Sequence, residues 1–422
     1  MKIKNIAVVG LGYIGLPVAL AFSKIYNVIG FDTNKDRIKQ LKSGYDITNE
    51  ISSKNLIKYK KIYYSSNTED LENANVYIVA VPTPVNKNNL PDLKILKSAT
   101  KLIAGKLKKD NIVIYESTVF PGATENICIP ILKKISKLIL NKDFFVGYSP
   151  ERINPSDKKH TLQNVDKLVS ATNKKSLNII FNIYSKIIKA KVHKIKDIKT
   201  AESAKIIENI QRDVNIALIN EFTQLFTKLN VNIYDVLIAA KTKWNFLDFS
   251  PGLVGGHCIS VDPYYLTYKA KQIGYKPNII LSGRKINNLM PEFIFKKIVN
   301  QSKIQKLKLY KSNVLIMGAS FKENCSDFRN NQSIIVKNYF YNKVKSVDIY
   351  DPLIDKKKFA QTYNFNLVNR LKLVNYDIIL ILVSHNIFLK MGIKEIKKYS
   401  KSKKIILDFK NIFPYEKNLL RL

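Results

Sequence analysis

Cys258 follows Gly255, Gly256 and His257 in the stretch DFSPGLVGGHCISVDPYY (248–265), and Asp262 lies four residues beyond it. A thiolate is a nucleophile, small residues before it let the backbone crowd a ligand, and a nearby carboxylate can orient a water or take a proton. On its own a cysteine reads first as buried, inert core. His257 beside it imitates a catalytic dyad. Neighbouring residues of a loop seldom point the same way, so a packing or substrate role is preferred for it. Lys205 and Asn209 are spaced i, i+4 and share one helix face; by spacing alone a solvated polar face explains them.

A second chemistry is written at the other end of the chain. The apolar run IKNIAVV leads directly into Gly10-Leu-Gly12-Tyr13-Ile14-Gly15, followed by a helical pattern and a second strand, NVIGFD, that ends in Asp32. This is the dinucleotide fingerprint in its required context, with the pyrophosphate at a helix N-terminus and the acid on the ribose hydroxyls. Asp32 favours NAD over NADP, while Arg37 keeps a phosphorylated ribose open as an alternative. Further strands are expected at VYIVAV (76–81), IVIYES (112–117) and FFVGY, from 144. Their ends deliver Pro82 and Thr83, then Glu116, Ser117 and Thr118, then Glu151 and Arg152. Ligands of open α/β sheets gather at such ends.

The elements that must position these groups follow in order. Helical stretches are expected around 92–108 and 122–139, and helical periodicity runs unbroken from 199 to 229 as a spine whose apolar face is suited to a second subunit. Helices continue to about 302, interrupted by the Cys258 loop, Pro277 and Pro291. A second α/β unit opens at SNVLIMGASFKENCSDFRNNQS (312–333) and continues with VDIYDP, DIILILV and KIILDF. Its turn carries Lys322 and Arg329 where a full glycine triplet would be, which suits an anionic ligand held by side chains. The fold class is therefore α/β: two Rossmann-like doubly wound domains (1–198 and 306–422) joined by a central helical domain (199–305) with a long spine helix.

Composition narrows the class. The chain has 422 residues, 46% of them hydrophobic, and its three cysteines form no CxxC pair, so reduced thiols and a cytoplasmic setting are expected. The formal charge of +37 raises a basic nucleic-acid-binding protein as a reading of another class. The lysines, however, are scattered singly or in pairs, with no basic arm, and the excess is read as compositional bias that attracts anionic ligands generally. The uncharged run from Asn5 to Ser23 imitates a membrane span, but glycines at motif spacing interrupt it. Neither a membrane nor a nucleic-acid partner is expected, and no metal site is evident.

Together GLGYIGLP (10–17), VPTP (81–84), YESTVFPG (115–122), YSPERINP (148–155), AKIIENIQRDVNIALINE (204–221), GLVGGHCISVDPYYL (252–266) and ASFKENCSDFRN (319–330) resemble the UDP-glucose/GDP-mannose dehydrogenase family along nearly the whole chain. The match is most similar to its branch acting on UDP-N-acetylhexosamines for bacterial surface polysaccharides such as Vi antigen and O-antigen. The resemblance implies oxidation of sugar C6 through an aldehyde to a carboxylate, with NAD as cofactor and Cys258 as the nucleophile that forms a thiohemiacetal and then a thioester. It implies Glu151 as the base for hydrolysis, Thr118 and Asp262 as holders of a water, and Lys205 and Asn209 as stabilisers of the oxyanion. It also places Arg152, Gly255, Gly256, Arg284, Lys322 and Arg329 around the UDP-sugar and implies a homodimer or higher homo-oligomer. Pro155 stands where UDP-glucose enzymes commonly carry a second glutamate, which argues against UDP-glucose, the nearest alternative substrate. A 3-hydroxyacid dehydrogenase would leave Cys258 and the second α/β unit without a use.

Overall fold

Short runs of Ile, Val, Leu and Tyr bounded by turn residues make strands buried on both faces, as parallel sheets require. The computed structural model describes residues 3–48, 50–58, 61–153, 160–416 and 418–422; of the motif that ends at Pro155, residues 154 and 155 therefore lie outside the described residues. The chain divides into two compact bodies, Met1–Glu208 with Tyr264–Tyr275, and Asn209–Pro263 with Lys276–Leu422.

The first body holds β1 (Asn5–Val9), β2 (Asn27–Phe31), β3 (Ile62–Ser65), β4 (Val76–Val79), β5 (Asn111–Tyr115), β6 (Phe144–Tyr148), β7 (Lys167–Ala171) and β8 (Val192–Lys194). They form one sheet in the order β3-β2-β1-β4-β5-β6-β7-β8, parallel except where β7 runs against β6. Strand order reverses between β1 and β4, and the crevice above that switch point is where doubly wound sheets bind ligands. The helix Gly15–Ser23 packs so tightly over β1 that a Cβ at Gly15 would fall 1.7 Å from Gly10 O.

The second body holds β9 (Asn313–Met317), β10 (Ser346–Tyr350), β11 (Tyr376–Ile381), β12 (Ser400–Asp408) and β13 (Leu419–Leu420). Their order, β10-β9-β11-β12-β13, is wholly parallel and places a second switch point between β9 and β11. Ile294 and Ile298 of the helix Asn278–Ile304 pack in one core with Val314, Ile316, Ile378 and Leu380. Pro291 was expected to interrupt that helix. It lies inside it, buried, because proline removes one backbone donor, a cost that packing of the apolar face outweighs.

The spine helix Ile198–Lys228 begins in the first body and continues into the second. Past Lys228 the chain adds the helix Ile233–Ala240 and a loop on which Trp244, the only tryptophan of the chain, is 92% exposed. The strands β3, β7, β8 and β13 went unrecognised in the sequence; β3, β8 and β13 sit at sheet edges and are no longer than four residues, while β7 is a full-length strand that runs against β6.

The glycines of the first turn predict two contrasting outcomes. Gly15→Ala forces a Cβ into backbone and should destabilise the protein by about 3 kcal/mol. Gly12→Ala meets nothing within 4 Å and should melt like the wild type. It should nonetheless weaken NAD binding, and calorimetry together with NADH fluorescence titration distinguishes the two.

Candidate active site

In the first body the turn after β1 is built around Asp32. Its carboxylate accepts from Leu11 N and from Asn34 N, both at 2.9 Å, which fixes the acid at the end of β2. Gly12 is exposed with open space beside it, and Tyr13 and Ile14 are half-buried around it. That is the room a pyrophosphate needs at a helix N-terminus, so these residues fit NAD. Arg37 is buried, donates from Nε to Leu11 O at 2.9 Å and pairs with Asp46 at 2.8 Å. Its guanidinium is thus held beneath the turn by groups of the protein itself.

Across the switch point, the ends of β4 and β5 are stitched together. Ser117 Oγ donates to Val81 O at 2.7 Å and accepts from Val81 N, while Thr83 Oγ1 donates to the carbonyl of half-buried Thr118 at 2.7 Å. Pro82 is exposed on this rim. Glu116, expected near the cofactor, is fully buried; its carboxylate pairs with Lys167 at 2.9 Å and accepts from Tyr184 Oη.

Lys167 serves a second purpose. Its ammonium also donates to Pro150 O at 3.1 Å, at the peptide just before Glu151. Glu151 is buried at the end of β6 and accepts from Ile153 N. Burial raises its carboxyl to about 7, against the attraction of Lys205 and Lys167 and with the repulsion of Glu116 and Glu208. A carboxyl so poised is suited to general base work near neutral pH. Arg152, the next residue, is taken up by Glu208 and by Asp166 O at 3.1 Å.

In the second body the inner face of the spine helix is polar and buried. Asn209 Nδ2 donates to Asp262 Oδ2 at 2.6 Å, four residues past Cys258. Asp213 pairs with Arg284 at 2.6 Å and accepts from Asn287 at 2.7 Å. Burial raises the Asp213 carboxyl against the pull of Arg284. Asn220 exchanges hydrogen bonds with the backbone of Gly252, N to Oδ1 and Nδ2 to O, both at 3.0 Å. The stretch that bears Cys258 is therefore moored to the spine at both ends, and the solvated-face reading of this helix gives way to a buried one. Arg284 stands in this interior, 3% exposed.

Cys258 is exposed, whereas Cys128 and Cys325 are buried, so the reading of Cys258 as core thiol is excluded. Gly255 lines a cavity with Ser320, Lys322, Glu323, Gln332 and Lys410, set over the carboxyl ends of β9 and β11. Lys410 was missed in the sequence. Its ammonium donates to Pro251 O at 3.1 Å, and burial lowers its pKa. Asp351, at the end of β10, was missed too. It accepts from Ala319 N at 2.7 Å and repeats in this sheet what Asp32 does in the first. Arg329 grips Asp327 through Nε at 3.0 Å and Nη2 at 2.6 Å. No group of His, Cys, Asp or Glu among the described residues is arranged to hold a metal ion.

Two nucleotide-type folds, one with an NAD turn and the other with a polar cavity and an exposed thiol in the same body, define a nicotinamide-dependent oxidoreductase. Three profiles of the UDP-glucose/GDP-mannose dehydrogenase family match in order: its NAD binding domain over 4–188, its central domain over 199–289 and its UDP binding domain over 315–415. The chain belongs to this family and is an NAD-dependent nucleotide-sugar dehydrogenase. It is 47% identical over 409 residues to Protein CapL of Staphylococcus aureus, covering 97% of this chain and 96% of the relative. It is 44% identical over 418 residues to the UDP-N-acetyl-D-glucosamine 6-dehydrogenase of Salmonella typhi, covering 99% and 98%. Among solved structures, the UDP-D-ManNAc dehydrogenase of Pyrococcus horikoshii superposes with a TM-score of 0.90 at 31% identity, covering 99% and 98%.

The buried pair beneath Glu151 generates a prediction. Lys167→Met leaves the Glu116 carboxylate uncompensated and should cost about 3–5 kcal/mol in urea unfolding at pH 7. Adding Glu116→Gln to that variant should recover most of the loss.

Proposed function

We propose that this chain oxidises C6 of a UDP-N-acetylhexosamine, UDP-GlcNAc or UDP-GalNAc, to the uronic acid for surface polysaccharide synthesis. The observation that carries the reading is the single exposed thiol, Cys258, on a loop whose Gly255 lines the cavity of the second α/β unit, together with Lys322 and Lys410 and one carboxylate, Glu323. The named activity of the Salmonella typhi relative supports the N-acetylated sugar. NAD, when bound, supplies the hydride acceptor for both oxidations.

The chain's own residues do the rest. Cys258 adds to the C6 aldehyde, forming a C–S bond and a tetrahedral thiohemiacetal whose oxidation leaves a thioester. Lys205 and the amide of Asn209 stabilise the oxyanion of that carbon. Thr118 and Asp262 hold the hydrolytic water, with Asp262 fixed by Asn209. Glu151 takes the proton of that water as the C–S bond breaks, and the thiolate leaves. Lys322 and Arg329, with Lys410 added, face the anionic nucleotide; Gly255 lines the cavity that receives it, while Gly256 is packed against the Phe321 ring. Arg152 and Arg284 shape the substrate region from behind, through Glu208 and Asp213.

The domain assignment that accompanies this reading is an NAD-binding domain over 1–198, a helical domain over 199–305 that dimerises and carries the nucleophile, and a UDP-sugar domain over 306–422. Leu218, Phe222 and Leu225 of the spine helix, with Leu229 just past its end, are all at least 36% exposed and form a stripe suited to a second copy. The setting proposed is the cytoplasm; no helix among the described residues is long and apolar enough to cross a membrane.

With UDP-GlcNAc, UDP-GalNAc and UDP-glucose assayed in parallel, we expect two NADH per N-acetylated sugar, the faster one fixing the epimer. Turnover of UDP-glucose alone would overturn the sugar assignment. Cys258→Ser should abolish uronate formation, and full turnover by it would sink the thioester route. A base must be ionised to act, and a carboxyl raised to about 7 is protonated below that pH. The hydrolytic rate should therefore fall about tenfold per pH unit on the acid side, and Glu151→Gln should remove this limb. Leu225→Glu should shift the sedimentation coefficient from dimer to monomer; an unshifted value would exclude the stripe as the interface.

A further inference from the structure

His257 is assigned no role by the reaction just described, yet its ring is held in place by the neighbouring loop. That loop is seated on the loop running from Phe321 to Asn330. Asn330 Nδ2 donates to Gly256 O at 2.8 Å, and Gly256 N donates to Asn330 O at 3.4 Å. The contact is close: a Cβ on Gly255 would fall 2.6 Å from Asn330 O, and one on Gly256 would fall 2.8 Å from the Phe321 ring. The His257 ring meets Phe321 edge-on, with centroids 5.7 Å apart.

The polar edge of the imidazole is held as firmly. Its Nε2 lies 3.0 Å from Arg329 Nη2, and its Nδ1 faces Asp327 at 3.6 Å. Burial first, then the Arg329 charge, lower its pKa to about 4 against Asp327, with Lys322 adding to the lowering. The ring is therefore neutral near pH 7, accepting from the guanidinium at Nε2 and carrying its proton on Nδ1. Burial alone raises the Asp327 carboxyl, but Arg329 outweighs it and holds the group ionised below the ordinary range. With its one lone pair, on Nε2, taken by Arg329, the imidazole is not available as the base of a thiol dyad.

The loop that grips His257 also reaches the cavity. Phe321 and Lys322 line it, and so does Gly255 of the nucleophile loop. A group bound there touches both loops at once. We infer that His257, latched by Arg329 and Asp327, is a positioning residue that transmits occupancy of the nucleotide cavity to the place of the Cys258 sulfur. The inference rests on Cys258 as nucleophile and deepens the proposed reaction.

The test follows iodoacetamide alkylation of Cys258 by peptide mass, with and without UDP, in the full chain and its variants. UDP lacks the sugar, and alkylation needs no oxidation, so failure of C6 oxidation with every N-acetylated sugar leaves this measurement standing. Buried Cys128 and Cys325 report folding by staying unmodified. UDP should change the alkylation rate about fivefold in the wild type and in His257→Gln, which keeps an acceptor for Arg329, and not in His257→Ala. In turnover, His257→Ala should lower kcat about 10- to 100-fold through misplacement of the sulfur, with KM for the sugar nucleotide held within about twofold.

An unresponsive wild type, or a wild-type UDP response or kcat in folded His257→Ala, would overturn the latch. If His257→Ala exposes Cys128 and Cys325, His257→Phe decides, since it keeps a ring against Phe321 and loses the acceptor for Arg329. Loss of the UDP response in that variant supports the latch, and retention overturns it.

Discussion

Taking a carboxylate out of water is the costliest thing the first body does, and Glu151 at the end of β6 shows how it is managed. Its ionised form is disfavoured by burial and partly restored by Lys205 and Lys167. Lys167 is itself buried and needs Glu116, whose carboxylate needs Tyr184. The chain of compensation thus runs from the sheet interior to the strand end, and breaking any link leaves a charge stranded. A rigid sheet is what makes such a poised group possible, because the carbonyls of Ser149 and Pro150 that receive Lys167 are themselves set by β6.

The second body solves a different problem, that of keeping an irregular, glycine-bearing loop in one place. It does so by mooring. Asn209 and Asn220 of the spine helix hold Asp262 and Gly252 on either side of the thiol, and Asn330 holds Gly256 in between. Most of these links are amides rather than charges, which fix geometry without long-range fields. Asn330 itself sits at φ 50°, a left-handed conformation that asparagine tolerates, so the mooring residue also makes the turn that presents it.

Much of this was legible in the residues. The strand–turn–helix–acid pattern around Gly10 and Asp32 is local, and local patterns survive into structure; so did both α/β units and the spine. Glu116 and Arg37 were read as ligand groups because they follow strands at the right place. Sequence position does not reveal that Lys167 and Asp46, far along the chain, would claim them. Asp213 and Asn220 continue the helical spacing of Lys205 and Asn209 and were open to the same reasoning. Asp351 ends the second strand of its sheet as Asp32 does, and that parallel was there to be drawn. Lys410 was hidden by the abundance of lysine, since one cation among scattered ones carries no signal until a cavity selects it.

The lone tryptophan gives the molecule an optical property of its own. Trp244 stands in water beyond the spine, 92% exposed, in a chain whose remaining aromatic emission comes from tyrosine. Excited at the red edge of the absorption band, the protein emits from one indole at one address. Its colour and its accessibility to a collisional quencher therefore describe the surroundings of this one loop, and anything that comes to rest on it is visible without a label.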